Sequence, residues 1–226
     1  MRQNTGFRDD INGLRAWAVL AVVLFHFGAP GFSGGFVGVD VFFVISGYLM
    51  TRIIVTGLER GQFSYLGFCM ARAARILPAL LALCTVLLTL GYFTLTPIDY
   101  RTLASHALSS AGFFSNFKYW DEAGYFDSAS HEKWLLHTWS LSVEWQFYLL
   151  LPLLFMAIWV RLPSRAALLV TTLVVLAGSL AFSIWATPAH PSLSFFLLPS
   201  RIWQMLLGGL VFLWVEPLAL KATWSA

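Results

Sequence analysis

Three ionisable residues stand where an apolar sequence has no need of them. Arg15 and His26 lie in the first apolar run, residues 11–28, and Asp40 lies in the second, residues 36–56. Ionisable groups in lipid-facing segments are costly, so each is a candidate for chemistry. Arg15 and His26 are eleven positions apart. On an α-helix that is about three turns plus roughly 20°, so both side chains share one face, about 16 Å apart along the axis. This is about half of a hydrocarbon core about 30 Å thick. An arginine at the membrane border suits phosphate oxygens, and a histidine deeper in suits proton transfer near neutral pH. The stretch Gly-Ala-Pro-Gly-Phe-Ser-Gly-Gly at 28–35 is a tight turn that sets the end of the first helix beside the start of the second. Asp40 can then meet His26 and hold its imidazole in one tautomer, as carboxylates do in hydrolase triads. The plainer alternative is an arginine that only sets topology and a histidine that only packs helices.

Further along, Arg72 and Arg75 precede Ile76-Leu77-Pro78 and share a helix face three residues apart. With Arg15 they can cradle the phosphates of a nucleotide-bearing donor such as coenzyme A, or serve only as a positive-inside anchor. His137, Ser140 and Glu144 fall near one face of a helix, where a carboxylate can accept hydrogen bonds from a sugar hydroxyl or orient a base. The same glutamate can equally be a favourable acid near a helix N-terminus. Arg201 sits in an apolar context, Leu197 to Trp203, where it can pair with Glu144 or meet an acceptor. The aromatics Phe113, Phe114, Phe117, Tyr119, Trp120, Tyr125 and Phe126 read as an interfacial belt before they read as a platform for a sugar ring.

The elements that must hold these residues follow from composition. Of 226 residues, 58% are hydrophobic and 11% charged, against about 25% charged in soluble domains, so the chain reads as an integral membrane protein. A net charge of +3 is too small to suggest nucleic acid. Cys69 and Cys84 show neither metal spacing nor a disulfide framework and read as inert thiols. The first apolar run follows Asp9 and Asp10 and precedes at least five more such runs, so it reads as a retained helix and not a signal peptide. Six segments are expected, at 11–28, 36–56, 75–97, 136–160, 166–187 and 196–216, with a kink at Pro152. Residues 57–74 read as lying outside the bilayer, and 98–135 as the one long non-membrane stretch, with a surface helix at 101–117. The fold class is all-α, a polytopic helical bundle, with no internal repeat.

The runs Asn12-Gly13-Leu14-Arg15-Ala16 to His26 and Gly35-Phe36-Val37-Gly38-Val39-Asp40-Val41-Phe42-Phe43-Val44-Ile45-Ser46-Gly47 resemble the acyltransferase-3 family of bacterial membrane O-acyltransferases. The family pattern of an arginine, ten residues and a histidine is met by Arg15 and His26. Arg72 and Arg75 before Ile-Leu-Pro resemble the family's arginine-rich motif, sparser here because Ala71, Ala73 and Ala74 intervene. Trp139-Ser140-Leu141-Ser142-Val143-Glu144 resembles its Trp-Ser-Leu-x-Val-Glu motif, with Trp145 where many members carry a second glutamate. The resemblance implies transfer of an acyl group, acetyl above all, from acyl-CoA to a hydroxyl of an envelope polysaccharide or glycolipid. It implies His26, Asp40 and Glu144 as catalytic residues, with His26 as general base or brief carrier of the acyl group, oriented by Asp40, and Glu144 helping to position the acceptor; Arg15, Arg72 and Arg75 are the donor-binding ones. Ser140 and Arg201 are the acceptor-side candidates, and no metal or tightly bound cofactor is expected. Family members carry about ten helices and often an added extracytoplasmic domain, so residues 1–226 are expected to be a membrane domain incomplete at its C-terminus. A buried Arg-His-Asp set would also serve a proton-coupled transporter of an envelope glycan or small molecule, and a third reading is a non-catalytic remnant that binds partner helices.

Charge sets the expected orientation in the bacterial inner membrane. With a cytoplasmic N-terminus and alternating spans, Arg2, Arg8, Arg15, Arg52, Arg60, Arg72, Arg75, Arg161, Arg165 and Lys221 fall inside, leaving Arg101, Lys118, Lys133 and Arg201 outside. Ten of the 14 positive residues on one side is a clear positive-inside bias. The loop at 98–135 is then extracytoplasmic. A thiol introduced at Ser128 should react with a membrane-impermeant reagent in intact cells, and one at Gln62 should not. The opposite labelling pattern would reverse the orientation.

Overall fold

The first two helices stop where a glycine closes the backbone. The computed structural model describes residues 9–123 and 133–215. Helix α1 spans Asp9–His26. Beyond it the Gly28 amide donates to Phe25 O at 3.0 Å and the Ala29 amide to Leu24 O at 2.9 Å. Gly28 takes φ +64°, the left-handed conformation that this closure needs and that a residue with a Cβ rarely adopts. Helix α2, Gly38–Glu59, ends the same way. Gly61, at φ +65°, and Gln62 bond back to Leu58 and Gly57.

Of the later helices, those opening at Tyr65, Pro97 and Arg165 start on side-chain caps, and those opening at Pro97 and Pro191 carry proline in the first turn. Helix α3, Tyr65–Thr94, opens on Ser64, whose hydroxyl accepts from the Gly67 amide at 3.2 Å. Helix α4, Pro97–Ala111, opens on Thr96, which accepts from the Asp99 amide, with Pro97 in the first turn. Helix α5 is Ser115–Glu122 and α6 is Thr138–Arg161. Helix α7, Arg165–Ala189, is capped by Ser164. Helices α8, Pro191–Phe196, and α9, Ile202–Leu210, flank a 3₁₀ turn at Leu198–Ser200, and α9 runs on into a π-helical turn at Val211–Val215. Such caps satisfy amide groups that a helix start leaves without partners.

Four stretches are long and apolar enough to cross a membrane: Gly35–Glu59, Tyr65–Thr94, Thr138–Arg161 and Arg165–Ala189. Among the described residues, the 18-residue α1 and the shorter apolar helix Ile202–Val215 add to these four, so the all-α class holds and the helix count is roughly that of the six expected segments. Boundaries shift in three places. Helix α3 begins at Tyr65 and not at 75, because Ser64 caps it, so much of the expected outside stretch 57–74 is helical. At 30 residues it is about 45 Å long, well beyond a hydrocarbon core of about 30 Å, so its first turns can still project from the apolar layer. The expected helix at 101–117 is two helices, α4 and α5, broken at Gly112 to Phe114, where Phe113 takes φ +58°. The sixth segment begins at 202 and not at 196, because Leu197, Pro199 and Ser200 break the helix before it. Helix α6 continues across Pro152.

The helices fall into two compact units, residues 1–52 with 204–226, and residues 53–203. In the first, α1 packs against the 3₁₀ turn Gly35–Val37, and a Cβ on Gly38 would lie 2.5 Å from Ala18 O. A Cβ on Gly47 would overlap the carbonyl oxygen of Met205, and one on Gly208 that of Val44. Small residues at such crossings let membrane helices approach backbone to backbone. In the second unit, Val143, Phe147, Leu151 and Phe155 recur every fourth residue and form the buried stripe of α6. Leu80, Cys84, Leu103, Ala107, Phe113 and Leu135 form a core between α3, α4 and the approach to α6.

Backbone atoms cannot yield to an added methyl as a flexible side chain can. Gly47→Ala should lower the melting temperature of the detergent-purified full-length protein, at a cost of about 1–3 kcal/mol for overpacking. Gly178→Ala in α7, where nothing lies within 4 Å of the new atom, should leave it unchanged or raise it. Equal melting of wild type and Gly47→Ala would mean that the close α2–α9 crossing is not what holds this unit together.

Candidate active site

In the first unit, helix α1 carries both Arg15 and His26, as the spacing requires. Arg15 is half-buried, and His26 is the last residue of the helix with an exposed ring. Its Nδ1 lies 2.7 Å from Val22 O. A carbonyl can only accept, so Nδ1 carries a proton in this contact. The edge of the Phe25 ring meets the imidazole at 5.1 Å, and Phe25 in turn meets Phe36 at 5.5 Å in the turn before α2.

Asp40 lies in the first turn of α2, where an acid is favoured by the helix dipole. It is half-buried, and its Oδ1 accepts a hydrogen bond of 2.9 Å from Gln204 Nε2 of α9. Sequence reading did not single out Gln204. Its partner is 164 residues away, and no local pattern announces that pairing.

The second unit holds the other predicted residues. Arg72 and Arg75 both project from α3. Arg75 is exposed, whereas Arg72 is half-buried, with an Nε that has no hydrogen-bond partner among the described residues. The Glu59 carboxylate at the end of α2 takes the Arg165 guanidinium at the start of α7, with Nη2 to Oε2 at 2.9 Å, so those two helix ends lie at the same border. Glu144 is half-buried on α6, one turn beyond Ser140. The Ser140 hydroxyl donates to His137 O at 3.1 Å and keeps its oxygen as an acceptor. The Arg201 Nε donates to Phe195 O at 3.0 Å, and its guanidinium lies over the rings of Phe195 and Trp139 at 5.0 and 5.6 Å. That placement is a cation–π clasp on two aromatics.

The 98–135 stretch is more than an acidic, aromatic loop. Glu122, at the end of α5, gathers three basic side chains. His106 Nε2 lies 2.9 Å from Oε2, Lys118 Nζ 3.3 Å from Oε1, and Lys133 Nζ 3.5 Å from Oε2. His106 and Lys133 are both buried, and Glu122 is 23% exposed. Below the cluster, Tyr119 is fully buried, and burial raises its phenol pKa. Asn116 and Gln146 exchange amide hydrogen bonds and also donate to Phe196 O and Phe113 O, tying α5, α6 and α8. Of the aromatics, Phe113 stacks on Trp145 at 4.4 Å, while Phe114, Phe117 and Trp120 are exposed. Tyr125, Phe126, Asp127 and Glu132 lie outside the described residues, as do Arg2, Arg8 and Lys221. Only the Lys118–Glu122 pair, one helical turn apart, was readable from sequence.

Burial by itself raises the Glu122 pKa, and the contacts with His106 and Lys118 outweigh it, so the carboxyl sits below its usual value. A carboxylate whose pKa is depressed on folding stabilises fully above its unfolded value, and that contribution is lost as pH falls through the folded one. Glu122→Gln should therefore cost about 1.5–3 kcal/mol at pH 7. It should also flatten the loss of thermal stability on acidification below the ordinary carboxylate pKa. Parallel melting curves of wild type and Glu122→Gln from pH 7 down to pH 3 would show that the cluster contributes nothing.

A family model described as an acyltransferase domain, the Acyl_transf_3 family, matches residues 8–224. A peptidoglycan O-acetyltransferase OatA of Listeria monocytogenes serovar 1/2a is 34% identical over 218 residues, covering 94% of this chain and 35% of that protein. An O-acetyltransferase OatA of Staphylococcus aureus strain NCTC 8325 is 37% identical over 223 residues, covering 95% of this chain and 36% of that protein. A putative membrane-bound transacylase BcsY of Komagataeibacter xylinus is 34% identical over 210 residues, covering 93% of this chain and 52% of that protein. The chain thus spans about a third to a half of the length of these relatives. No solved structure matches.

Proposed function

The chain belongs to the acyltransferase-3 family, and on that premise we propose that it is the membrane part of an O-acyltransferase. It moves an acyl group, acetyl above all, from a cytoplasmic acyl-CoA to a hydroxyl of an envelope polysaccharide or glycolipid. The relatives whose names read peptidoglycan O-acetyltransferase and O-acetyltransferase support the reaction class. The observation that supports the reading most is the contact of His26 Nδ1 with Val22 O at 2.7 Å, which suits an Nδ1–H tautomer, and on this reading Nε2 is assigned to accept the proton.

In the direct form of the reaction, Nε2 takes the proton of the acceptor hydroxyl as that oxygen attacks the thioester carbonyl. The new C–O bond forms, the C–S bond breaks, and the histidine returns the proton to the departing thiolate, so the imidazole ends neutral. Asp40 is assigned to orienting the imidazole and stabilising its charged form. Arg15, Arg72 and Arg75 are assigned to the donor's phosphates from their sequence pattern, and the buried Nε of Arg72 suits a bidentate oxyanion. Glu144 and Ser140 offer acceptor oxygens to a sugar hydroxyl, and Arg201 is assigned to the same side. The N-terminus is placed in the cytoplasm of a bacterium, with α4 and α5 at the outer face.

Loss of a general base costs about 10²–10⁴-fold in rate. In membranes with matched levels of full-length protein, His26→Gln should abolish acyl transfer, and Asp40→Asn should lower it by less. Near-normal transfer by His26→Gln would remove the proton-transfer role. A protein that moves substrate across the membrane without consuming acyl-CoA would be a transporter.

A further inference from the structure

Gln204 is 5% exposed, and its Nε2 donates to Asp40 Oδ1 at 2.9 Å. An ionised carboxylate can only accept, so this bond dictates which way the carboxamide faces. Oε1 must then point away from Asp40. It is buried and has no hydrogen-bond partner among the described residues. Leaving a buried carbonyl unpaired is unfavourable, and a methionine or leucine would fill the same space without that penalty. The close α2–α9 approach at Gly47 and Gly208 holds the amide in register with the start of α2. Gln204 therefore has one hand on the orienting carboxylate and an acceptor oxygen aimed elsewhere.

We infer that Gln204 is a positioning residue of the Asp40–His26 site, and that its Oε1 accepts a hydrogen bond from a substrate O–H or N–H. This rests on the acyltransferase reading above. Two sources supply such a donor: a hydroxyl of the glycan acceptor, or an amide N–H in the pantetheine arm of acyl-CoA. Both are neutral donors to a neutral carbonyl, and kinetics separates them.

The test uses full-length protein in membranes, with acetyl-CoA as donor and a soluble peptidoglycan fragment as acceptor, each varied in turn. Gln204→Met keeps the shape and removes both polar groups. Gln204→Glu keeps an acceptor oxygen, and two carboxyls so close share a proton that can restore the link to Asp40. Gln204→Met should lower kcat and raise the KM of one substrate about tenfold, while Gln204→Glu should keep that KM within about twofold of wild type. A raised KM for the peptidoglycan fragment assigns the contact to a hydroxyl, and a raised KM for acetyl-CoA assigns it to an amide. Both KM values unchanged in Gln204→Met would overturn the substrate contact. Rate losses that simply multiply in the Gln204→Met, Asp40→Asn double variant would overturn the action through Asp40. Should Gln204→Met insert poorly, Gln204→Glu carries the test: a KM raised tenfold there also overturns the contact. Wild-type protein that transfers no acetyl group, or His26→Gln that transfers normally, sinks the acyltransferase reading itself. A dead His26→Gln beside a normal Gln204→Met sinks only this inference.

Discussion

Inside a hydrocarbon layer a polar group has no water to turn to, and each unpaired one costs several kcal/mol, about the same for backbone and side chain. The described residues are organised around that constraint. Backbone groups close on themselves in helices, and the helix ends close on Gly28 and Gly61 or on Ser64, Thr96 and Ser164. The hydroxyls of Thr85, Thr89, Thr94, Thr172 and Thr187 each donate to the carbonyl one turn back, at 2.7–2.9 Å. Polar side chains that do not close locally pair across elements, as Asn116 does with Gln146 and Ser110 with Thr138.

Against that background the few groups that remain unsatisfied stand out. Among the described residues these are Thr51 Oγ1, Arg72 Nε, Tyr119 Oη and Gln204 Oε1. Two of the four are on Arg72, proposed above to meet the donor, and on Gln204, which donates to Asp40. A membrane protein that merely had to fold would replace such groups with apolar ones at little cost, so their retention argues for ligands or for chemistry. The Glu122 cluster is the opposite case. There a carboxylate with three basic neighbours is satisfied, and its effect is to bind α4, α5 and the approach to α6 together.

The site and the scaffold use different residues for a physical reason. The apolar layer contributes no hydrophobic drive between helices, so association depends on close packing, and glycine at 47 and 208 supplies it. Close packing fixes α9 against α2 and sets Gln204 beside Asp40. His26 stands in the reverse setting, at the end of a helix, with Nδ1 2.7 Å from the carbonyl of Val22 in its own helix. Family membership joins the two, since the matched region takes in α1, α2 and α9 alike.

The sequence by itself determined the class and roughly the number of apolar segments, which follow from the lengths of its apolar runs, and the shared face of Arg15 and His26, which follows from the 3.6-residue helical period. It also carried the motifs by which the family was recognised. It placed helix starts poorly at 65 and 202, and missed the break at Gly112 to Phe114, because a cap or a left-handed residue weighs little beside an apolar run. Only the tertiary structure decided which distant groups meet. Glu59 and Arg165 are 106 residues apart, Asp40 and Gln204 are 164, and Glu122 reaches His106 only because the chain folds back between α4 and α5. Such pairings depend on how helices cross and where loops turn, which no local period encodes.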